Sequence, residues 1–401
     1  MIRKVKFSNF YSFYAEQEIS FLAKKKKTYD YYQSKSGDQI TKVAGFVGSN
    51  ASGKTNIMRF FSFLSYFVCR KISDESPLMS DVAYKTFFNN EEVSTFYIEF
   101  EKENYIFFYN FSIKKNVILN ESLCVKKIQK GSRKIEVFSR QSSTIKVLNG
   151  DYFKNISIDA FPKIREDVSF ITFIKKLPYS VDIINNIYDY FLGFKTNINE
   201  KGEINNSGHQ ARALEIYLKD SDVKKEAENF IRNFDLGISG FEIKKEEIEV
   251  KEEEIKKKAF SVSVKGIHSS GEKNNELNFI YESRGTRSLF FTMAIILSAL
   301  KNNNIVIVDE IELGLHPEAL NKLISYFIDE NKDKNAQIIF SSHSFGFMNK
   351  LDMHQIFLVE KNNKSESSVY RLNHVKNIRP DENFMAKYMT GSYGAFPKIR
   401  V

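Results

Sequence analysis

The sequence predicts a mixed α/β fold, and three features of its 401 residues carry that prediction. A short apolar strand over residues 41–48 runs into a Gly-rich loop and then into an apolar helix over residues 55–72. From residue 279 onward, predicted strands and helices alternate, which is typical of a largely parallel sheet. Between these parts, short β-rich runs over residues 93–150 predict an antiparallel meander.

Composition narrows the class of protein. Hydrophobic residues make up 42% and charged residues 27%, which indicates a globular chain, and the length of 401 residues predicts two to three domains. Cys69 and Cys124 are far apart and form no CxxC, so a disulfide scaffold is excluded and a reducing cytoplasm is expected. The polar start predicts no signal peptide, and no apolar run reaches the ~20 residues of a membrane helix.

The charge of the chain leaves two interpretations open. The formal net charge is +9, which permits contact with nucleic acid or an acidic partner without requiring it. The KKKK run at residues 24–27 is either a solvated loop, which we favour, or a DNA contact.

The middle of the chain differs in character from its two ends. Residues 163–235 predict helices around a polar loop at residues 197–210, and residues 241–264 predict a solvated hairpin or a short helix. We therefore expect an N-terminal part of the main domain over residues 1–162, a mainly helical insertion with a charged β-hairpin tract over 163–270, and a C-terminal part over 271–401.

The stretch GFVGSNASGKTN contains the pattern G-x-x-x-x-G-K-[ST] of a phosphate-binding loop. Its glycines let backbone N–H groups close around phosphate oxygens, and the following helix directs its positive end toward the same anion. Lys54 would reach the β- and γ-phosphates, and Thr55 would offer its hydroxyl to Mg²⁺. The predicted nucleotide-binding residues are Gly48, Ser49, Asn50, Ala51, Ser52, Gly53, Lys54, Thr55 and Asn56.

An acidic pair follows the apolar strand in NNNIVIVDEIELGLHPE. The end of this strand would project Asp309 toward the Mg²⁺ shell and place Glu310 to polarise an attacking water. The alternative is an acidic strand end or a helix cap without chemistry. With Thr55, Asp309 forms the predicted metal site.

A third motif, QIIFSSHSF, ends another apolar strand in Ser341, Ser342 and His343. We expect this strand beside the strand of Asp309, with His343 as a sensor of the γ-phosphate. A structural histidine is the alternative. The predicted catalytic residues are thus Glu310, His343 and Lys54.

The ordered set GSNASGKTN, ESRGT, IVIVDEIELGLHP and IIFSSHS resembles the ABC-type ATPases of the SMC, RecF and OLD (overcoming lysogenization defect) branch. The resemblance implies an ABC-type P-loop ATPase head with ATP and Mg²⁺ as cofactors. It aligns Ser283, Arg284, Gly285 and Thr286 with a signature that acts in trans. Those residues would cap the γ-phosphate held by another subunit, so a homodimer or higher homo-oligomer is expected.

Within this branch, the chain looks most like stand-alone ATPase subunits of the RloA/AbiL kind. That resemblance implies a cytoplasmic role in phage defence and abortive infection, beside a separately encoded toprim-like nuclease or toxin. DNA or a phage protein would be the trigger, and no membrane is involved.

Two departures from the family pattern stand out. No glutamine lies between Lys54 and Gln129 to form a Q-loop, for which Asn89 or Asn90 is a possible substitute. The C-terminal residues carry no cluster of acidic toprim ligands. Asp220, in the chain's DSD string, reads better as a helix cap than as a metal ligand.

Three functions therefore compete. The leading one is an ATPase that joins two heads on ATP and controls a bound effector. The second is a RecF-like, ATP-gated DNA-binding protein of DNA repair, suggested by the net charge and the KKKK run. The third is a self-sufficient nuclease, which would depend on Asp220.

Overall fold

The computed structural model describes residues 1–23, 28–70, 83–154, 156–204, 206–234, 237–252, 255–270 and 273–396. The KKKK run at residues 24–27 lies outside the described residues. In chain order the described strands are β1 (Ile2–Ser8), β2 (Gln17–Ser20), β3 (Leu22–Ala23), β4 (Tyr31–Gln33), β5 (Gln39–Thr41), β6 (Val43–Gly48), β7 (Ser94–Lys102), β8 (Tyr105–Lys114), β9 (Val117–Lys127), β10 (Ile135–Gln141), β11 (Thr144–Leu148), β12 (Lys195–Thr196), β13 (Gly240–Glu252), β14 (Ile255–Ser270), β15 (Lys273–Asn278), β16 (Ile305–Val308), β17 (Gln337–Ser341), β18 (Ile356–Lys361) and β19 (Ser367–Arg371). The described α-helices are α1 (Lys54–Cys69), α2 (Phe170–Lys176), α3 (Asp182–Leu192), α4 (Ser207–Lys219), α5 (Ser221–Arg232), α6 (Arg284–Asn302), α7 (Pro317–Glu330) and α8 (Phe384–Met389).

A six-stranded sheet in the order β12-β16-β17-β6-β18-β19 holds the three motif strands side by side. The first five strands are parallel, and only β19 runs antiparallel to its neighbour. The predicted parallel sheet is therefore confirmed. Because the carboxyl ends of parallel strands lie at one edge, the phosphate loop, Asp309 and His343 come together there.

The strands of this sheet are apolar throughout because both faces are covered. On β16, Ile305 and Ile307 enter one core, while Val306 and Val308 enter the other. The first core includes α1, α2, α3 and the antiparallel sheet, and the second includes α4 to α8. The apolar run of β16 is therefore explained by burial on both faces of the sheet.

The predicted meander is confirmed for β7 to β11, which pair in sequence and antiparallel. The sheet is larger than predicted, because β1 and β2 extend it to seven strands in the order β11-β10-β9-β8-β7-β1-β2. A fully buried ion pair between Glu121 Oε2 and Arg140 joins β9 to β10 at 2.7 Å.

The middle of the chain is helical as predicted, with α2 to α5, but the two-residue strand β12 interrupts it. The charged tract forms the long antiparallel hairpin β13–β14, to which β15 adds a third strand. Of the two predicted alternatives, the hairpin is correct. The domain limits at 162 and 270 stay a prediction, since α2 and α3 contribute to the same core as α1.

Two further expectations concern the whole described chain. No helix within the described ranges is long and apolar enough to cross a membrane. Cys69 and Cys124 are both free thiols.

Candidate nucleotide-binding site

The phosphate loop joins β6 to α1 in the predicted strand–loop–helix order, and α1 begins at Lys54. Gly53 precedes the helix with φ 118°, a conformation that side chains rarely adopt. A Cβ at this position would lie 2.7 Å from Ser367 Oγ. The glycine is therefore required both by the turn and by the close packing behind it.

A hydroxyl network fixes the back of the loop. Ser367 Oγ on β19 donates to the Ser52 carbonyl at 2.6 Å and lies 2.8 Å from Ser12 Oγ. Asn56 Nδ2 donates to the same Ser12 oxygen at 2.8 Å. Ser52 Oγ is buried without a hydrogen-bond partner in the described chain, which leaves it available to an anion.

The ammonium group of Lys54 folds back over the loop. Its Nζ donates to the carbonyls of Gly48 at 2.8 Å and Ser49 at 3.0 Å. Burial lowers the pKa of Lys54 to about 8, although Asp309, Glu312 and Glu310 act against the shift. A phosphate that replaced the two carbonyls would stabilise the charged form.

Asp309 is fully buried at the end of β16. The Ser341 hydroxyl donates to its Oδ1, whereas Oδ2 has no hydrogen-bond partner in the described chain. Burial raises the pKa of Asp309, against the hydroxyls of Ser341 and Thr55 and the charge of Lys54, which favour the carboxylate. A cation beside the unsatisfied oxygen and Thr55 would compensate for that burial, so these donors fit Mg²⁺.

Glu310 and His343 face each other at the open side of the site. His343 Nε2 and Glu310 Oε1 are 4.0 Å apart, and both side chains are about one third exposed or more. Glu310 has a φ of 47°, and its backbone N–H donates to Ser341 Oγ at 2.9 Å. Non-glycine residues with such strained backbones cluster at active sites.

Glu312 also lies beside His343, and no role was predicted for it. One of its carboxylate oxygens accepts the backbone N–H of His343, and the other is buried without a partner in the described chain. Its position as the second glutamate of DEIELGLHP, two residues after Glu310, is the sequence signal that could have identified it.

Asn197 is a second residue that the sequence interpretation missed. It directly follows β12, the neighbour of the Asp309 strand, and is almost fully buried. Its Nδ2 donates to the Asp309 carbonyl, and its Oδ1 accepts the Asp309 N–H, both at 2.8 Å. This amide therefore sets the position of the backbone that carries the carboxylate.

The two possible Q-loop substitutes differ in their surroundings, and a Q-loop role for either stays a prediction. The Asn90 amide is engaged by Asn9 in both directions, at 2.8 and 3.0 Å. Asn89 lines a hollow next to the phosphate loop, together with Phe88 and Lys85. Asn197, beside the Asp309 strand, is the amide that contacts the acidic motif.

The predicted residues 50–56, Glu310 and His343 line one open cleft of about 680 Å³, whereas Gly48, Ser49 and Asp309 do not contribute to its wall. Arg59 and Lys361 add two cations to its wall, and neither was predicted. Arg59 is held by the Lys201 carbonyl at 2.8 Å and lies over the Tyr11 ring. Its position one turn after Asn56 is the sequence signal that could have identified it. The wall residues are Asn50, Ala51, Ser52, Gly53, Lys54, Thr55, Asn56, Arg59, Glu310, His343 and Lys361.

The signature residues lie outside this cleft in the same chain. Ser283 caps α6 by accepting the N–H of Thr286 at 3.1 Å. Gly285 packs so closely that a Cβ there would lie 2.2 Å from the Gly314 carbonyl oxygen. Ser283 and Gly285 line a separate hollow with Gly314 and Leu315. The helix-start geometry is thus present, and the trans role stays a prediction.

Asp220 is a helix cap, as the sequence indicated. Its Oδ1 accepts the Val223 N–H at 3.2 Å at the start of α5, and its Oδ2 pairs with Lys301 at 2.6 Å. Within the described ranges, no group of three or more His, Cys, Asp or Glu side chains is arranged to hold a metal ion.

Solved structures that are similar to this chain include SMC head domains. The SMC head domain from Thermotoga maritima is 13% identical, with a TM-score of 0.41, and covers 92% of this chain and 98% of that chain. An SmcHead structure bound to the C-winged helix domain of ScpA is also 13% identical, with a TM-score of 0.44, over 92% and 96%. An Smc head domain with an extended coiled coil, bound to the C-terminal domain of ScpA derived from Pyrococcus furiosus, is 14% identical, with a TM-score of 0.38, over 92% and 95%.

A comparison with curated proteins gave no match. A protein-family profile described as "AAA domain, putative AbiEii toxin, Type IV TA system" matches residues 43–349. That range runs from β6 through the phosphate loop and Asp309 to beyond His343, and it spans most of the chain. The chain therefore belongs to this family of AAA-domain P-loop ATPases.

Proposed function

We propose that the chain is a Mg²⁺-dependent ATPase that joins head to head on ATP and thereby controls an effector in bacterial anti-phage defence. The effector is a toprim-like nuclease or a toxin encoded nearby, and the complex acts in the cytoplasm. The observation that carries the ATPase proposal is the placement of Lys54 and Thr55 against buried Asp309, with Glu310 and His343 4.0 Å apart beside them.

The phosphate loop provides binding energy through charge and backbone donors. On ATP binding, Lys54 exchanges the carbonyls of Gly48 and Ser49 for the β- and γ-phosphates. The N-terminus of α1, a helix of 16 residues, points its positive end at the same phosphates. Arg59 and Lys361 add positive charge along the same wall.

Thr55 and Asp309 would hold Mg²⁺, which neutralises charge on the phosphates when it is bound. Asp309 offers one oxygen that lacks a partner in the described chain, while Ser341 fixes the other. Magnesium in nucleotide sites takes one or two protein ligands and completes its shell with phosphates and water. The single buried carboxylate of Asp309, together with Thr55, is therefore enough to hold Mg²⁺ when nucleotide is bound.

Glu310 would accept a proton from the attacking water, and His343 would contact the γ-phosphate. Ser341 connects the two acidic residues, since it donates to Asp309 and accepts the N–H of Glu310. Glu310 is therefore held in a fixed position relative to the metal ligand. Its partial exposure keeps the carboxylate accessible to water.

The head-to-head arrangement rests on the signature residues Ser283, Arg284, Gly285 and Thr286. They lie at the start of α6 but do not line the cleft of their own chain. The start of a 19-residue helix can cap an anion supplied by a second subunit. Such a clamp would close the open side of the cleft and bury the nucleotide.

A link to a defence system is supported by the family description, which names a "putative AbiEii toxin" and a type IV toxin–antitoxin system. Defence systems need a molecule that changes state when a trigger arrives, and an ATP-joined dimer has two such states. DNA or a phage protein is the trigger in this proposal.

Hydrolysis by the purified chain tests the proposal. The wild-type chain should hydrolyse ATP with Mg²⁺, alone or with the protein encoded next to it. Lys54→Ala should weaken nucleotide binding, and Glu310→Gln should retain binding but lose hydrolysis. Absence of hydrolysis under both conditions would refute the ATPase proposal, and wild-type rates in Glu310→Gln would refute the role of Glu310.

A further inference from the structure

A cavity of about 910 Å³ lies between α1, β12 and α4. Tyr66 of α1, Lys195 and Thr196 of β12, and His209 and Arg212 of α4 contribute to its wall. None of its wall residues lines the ATP cleft. The cavity is nevertheless close to the catalytic elements, because α1 begins at the phosphate loop and β12 leads directly into the Asp309-binding amide.

Two cations on this wall, Lys195 and Arg212, form no ion pair within the described residues, although Glu215 on the same wall acts on Lys195 through its charge. In the described part of the chain, neither Lys195 nor Arg212 makes an ion pair or a side-chain hydrogen bond, whereas Lys219 nearby is paired with Glu215 at 2.5 Å. Burial lowers the pKa of Lys195, and the like charge of Arg212 lowers it further, against Glu215. An anion placed between Lys195 and Arg212 would relieve this repulsion.

His209 provides an independent sign of a ligand. The residue is 9% exposed, it lines the cavity, and its Nδ1 has no hydrogen-bond partner in the described chain. Burial, with Arg212 as the second cause and Glu203 opposing, lowers the pKa of His209 to about 4. A buried polar atom of this kind usually has a partner, and a ligand oxygen would supply one.

The start of α4 adds to the positive character of the cavity. Asn206 and Gly208, at the first turn of this 13-residue helix, line the wall. The positive end of the helix dipole therefore points toward the same region as the two cations and His209.

The cavity is too large and too apolar in part for an inorganic anion alone. Leu192 and Ile216 also line it, and Leu192 is 56% exposed. Volumes of roughly 300–1,000 Å³ are typical of sites for small organic ligands. Glu200 on the wall offers an acceptor for hydroxyl groups of such a ligand.

We propose that this cavity is a second ligand site, separate from the ATP cleft, which binds a phosphate ester with an apolar or aromatic body, such as a nucleoside monophosphate. The phosphate lies between Lys195, Arg212 and His209 at the start of α4. The organic body lies along Tyr66 and Leu192. Binding at this site does not require ATP hydrolysis.

Calorimetric titration of the full chain with AMP tests this proposal. The titration uses the Lys54→Ala chain, so that AMP does not report on the phosphate loop, and compares it with Lys54→Ala/Lys195→Gln/Arg212→Gln. We expect one AMP per chain and at least a tenfold loss of affinity in the triple variant. Arg212→Glu, at an exposed helix position, repeats the test without altering β12.

The matched control is Lys54→Ala/Lys225→Gln, which removes an exposed positive charge on α5 outside the cavity and should leave AMP affinity unchanged. No AMP binding at about 1 mM, the weak limit of a specific site, would overturn the proposal. The proposal would also be overturned if the Lys195 and Arg212 variants bound AMP with the same affinity as the Lys54→Ala chain. If inorganic phosphate binds as tightly as AMP, the nucleoside part contributes nothing to affinity, and the proposal of an organic ligand is refuted.

Discussion

Replacement of Asn197 by alanine should both destabilise the chain and slow ATP hydrolysis. The amide of Asn197 makes two hydrogen bonds of 2.8 Å with the backbone of Asp309, and both residues are buried. Asn197→Ala removes these bonds but leaves the Asp309 N–H and C=O in place. Those groups then lie in the interior next to the Asp309 carboxylate.

The size of the effect follows from two unsatisfied groups. A buried donor or acceptor that loses its partner costs about 1–3 kcal/mol, so two such groups predict a loss of roughly 2–6 kcal/mol in the free energy of unfolding. Misplacement of a catalytic group by about 1 Å costs about 100-fold in rate. Since Asp309 would shift with its backbone, kcat/KM for ATP should fall by that order.

Urea unfolding and steady-state ATP hydrolysis measure the two effects. Asn110→Ala is the matched control, because this half-buried amide makes one bond of 2.9 Å to Ser122 in the antiparallel sheet. It should cost about 1 kcal/mol, the typical net value of one hydrogen bond, and leave hydrolysis unchanged. The reasoning is wrong if Asn197→Ala is no more destabilising than Asn110→Ala and retains the wild-type kcat/KM.

Three other predictions concern the signature, the phosphate loop and the antiparallel sheet. Gly285→Ala should lower the free energy of unfolding by about 1–3 kcal/mol, as overpacking does, since its Cβ would clash with the backbone of Gly314; urea titration measures this. ATP affinity should weaken as pH rises through about 8, because the pKa of Lys54 is lowered to about 8 and phosphate binds the protonated form; calorimetric titration between neutral and alkaline pH measures this. Glu121→Ala should lower the free energy of unfolding by about 3–5 kcal/mol, since it leaves the buried charge of Arg140 without its partner.

Each of these predictions has a control and a contradicting result. Gly150→Ala, with open space around its Cβ, should not be destabilised by overpacking, and an equal loss in both glycine variants would contradict the clash. Lys54→Arg carries a group that does not titrate, so a pH profile that is unchanged in this variant would assign the dependence to another residue. Glu136→Ala, exposed on β10, should change stability little, and a comparable loss there would contradict the buried-pair argument.

The sequence predicts the parts of the site that lie within one motif. The phosphate loop, Asp309 and His343 each follow an apolar strand, and parallel pairing of β6, β16 and β17 brings those strand ends to one edge. The pattern of short apolar runs and Gly-rich or acidic ends contains that information. Parallel pairing alone brings the three motifs to the same edge, so their meeting can be predicted without knowing the order of the strands.

Asn197 and the extent of the antiparallel sheet could not be predicted in the same way. β12 has two residues and no periodicity of its own, and it becomes a strand through its parallel pairing with β16, about 110 positions along the chain. Similarly, β1 joins β7 across the whole phosphate-loop unit. Both pairings arise from tertiary contact, which local propensity does not encode.

For the charged tract over residues 241–264, the sequence left two kinds of secondary structure open. Its charged residues are compatible with either a solvated hairpin or a short helix. The hairpin forms because β13 pairs with β14, beginning with Gly240 opposite Ile267. The proposed trans role of Ser283 also depends on a second chain, whose position a single sequence does not determine.

Mass photometry of the Glu310→Gln chain, with and without ATP and Mg²⁺, tests the central claim most directly. We predict a shift from monomer to dimer, or to a larger assembly, only when ATP and Mg²⁺ are present. The same variant with Ser283→Arg should stay monomeric, because the added side chain would obstruct the clamp at the start of α6. A Glu310→Gln chain that binds ATP but keeps the same mass with and without it would contradict the head-to-head mechanism.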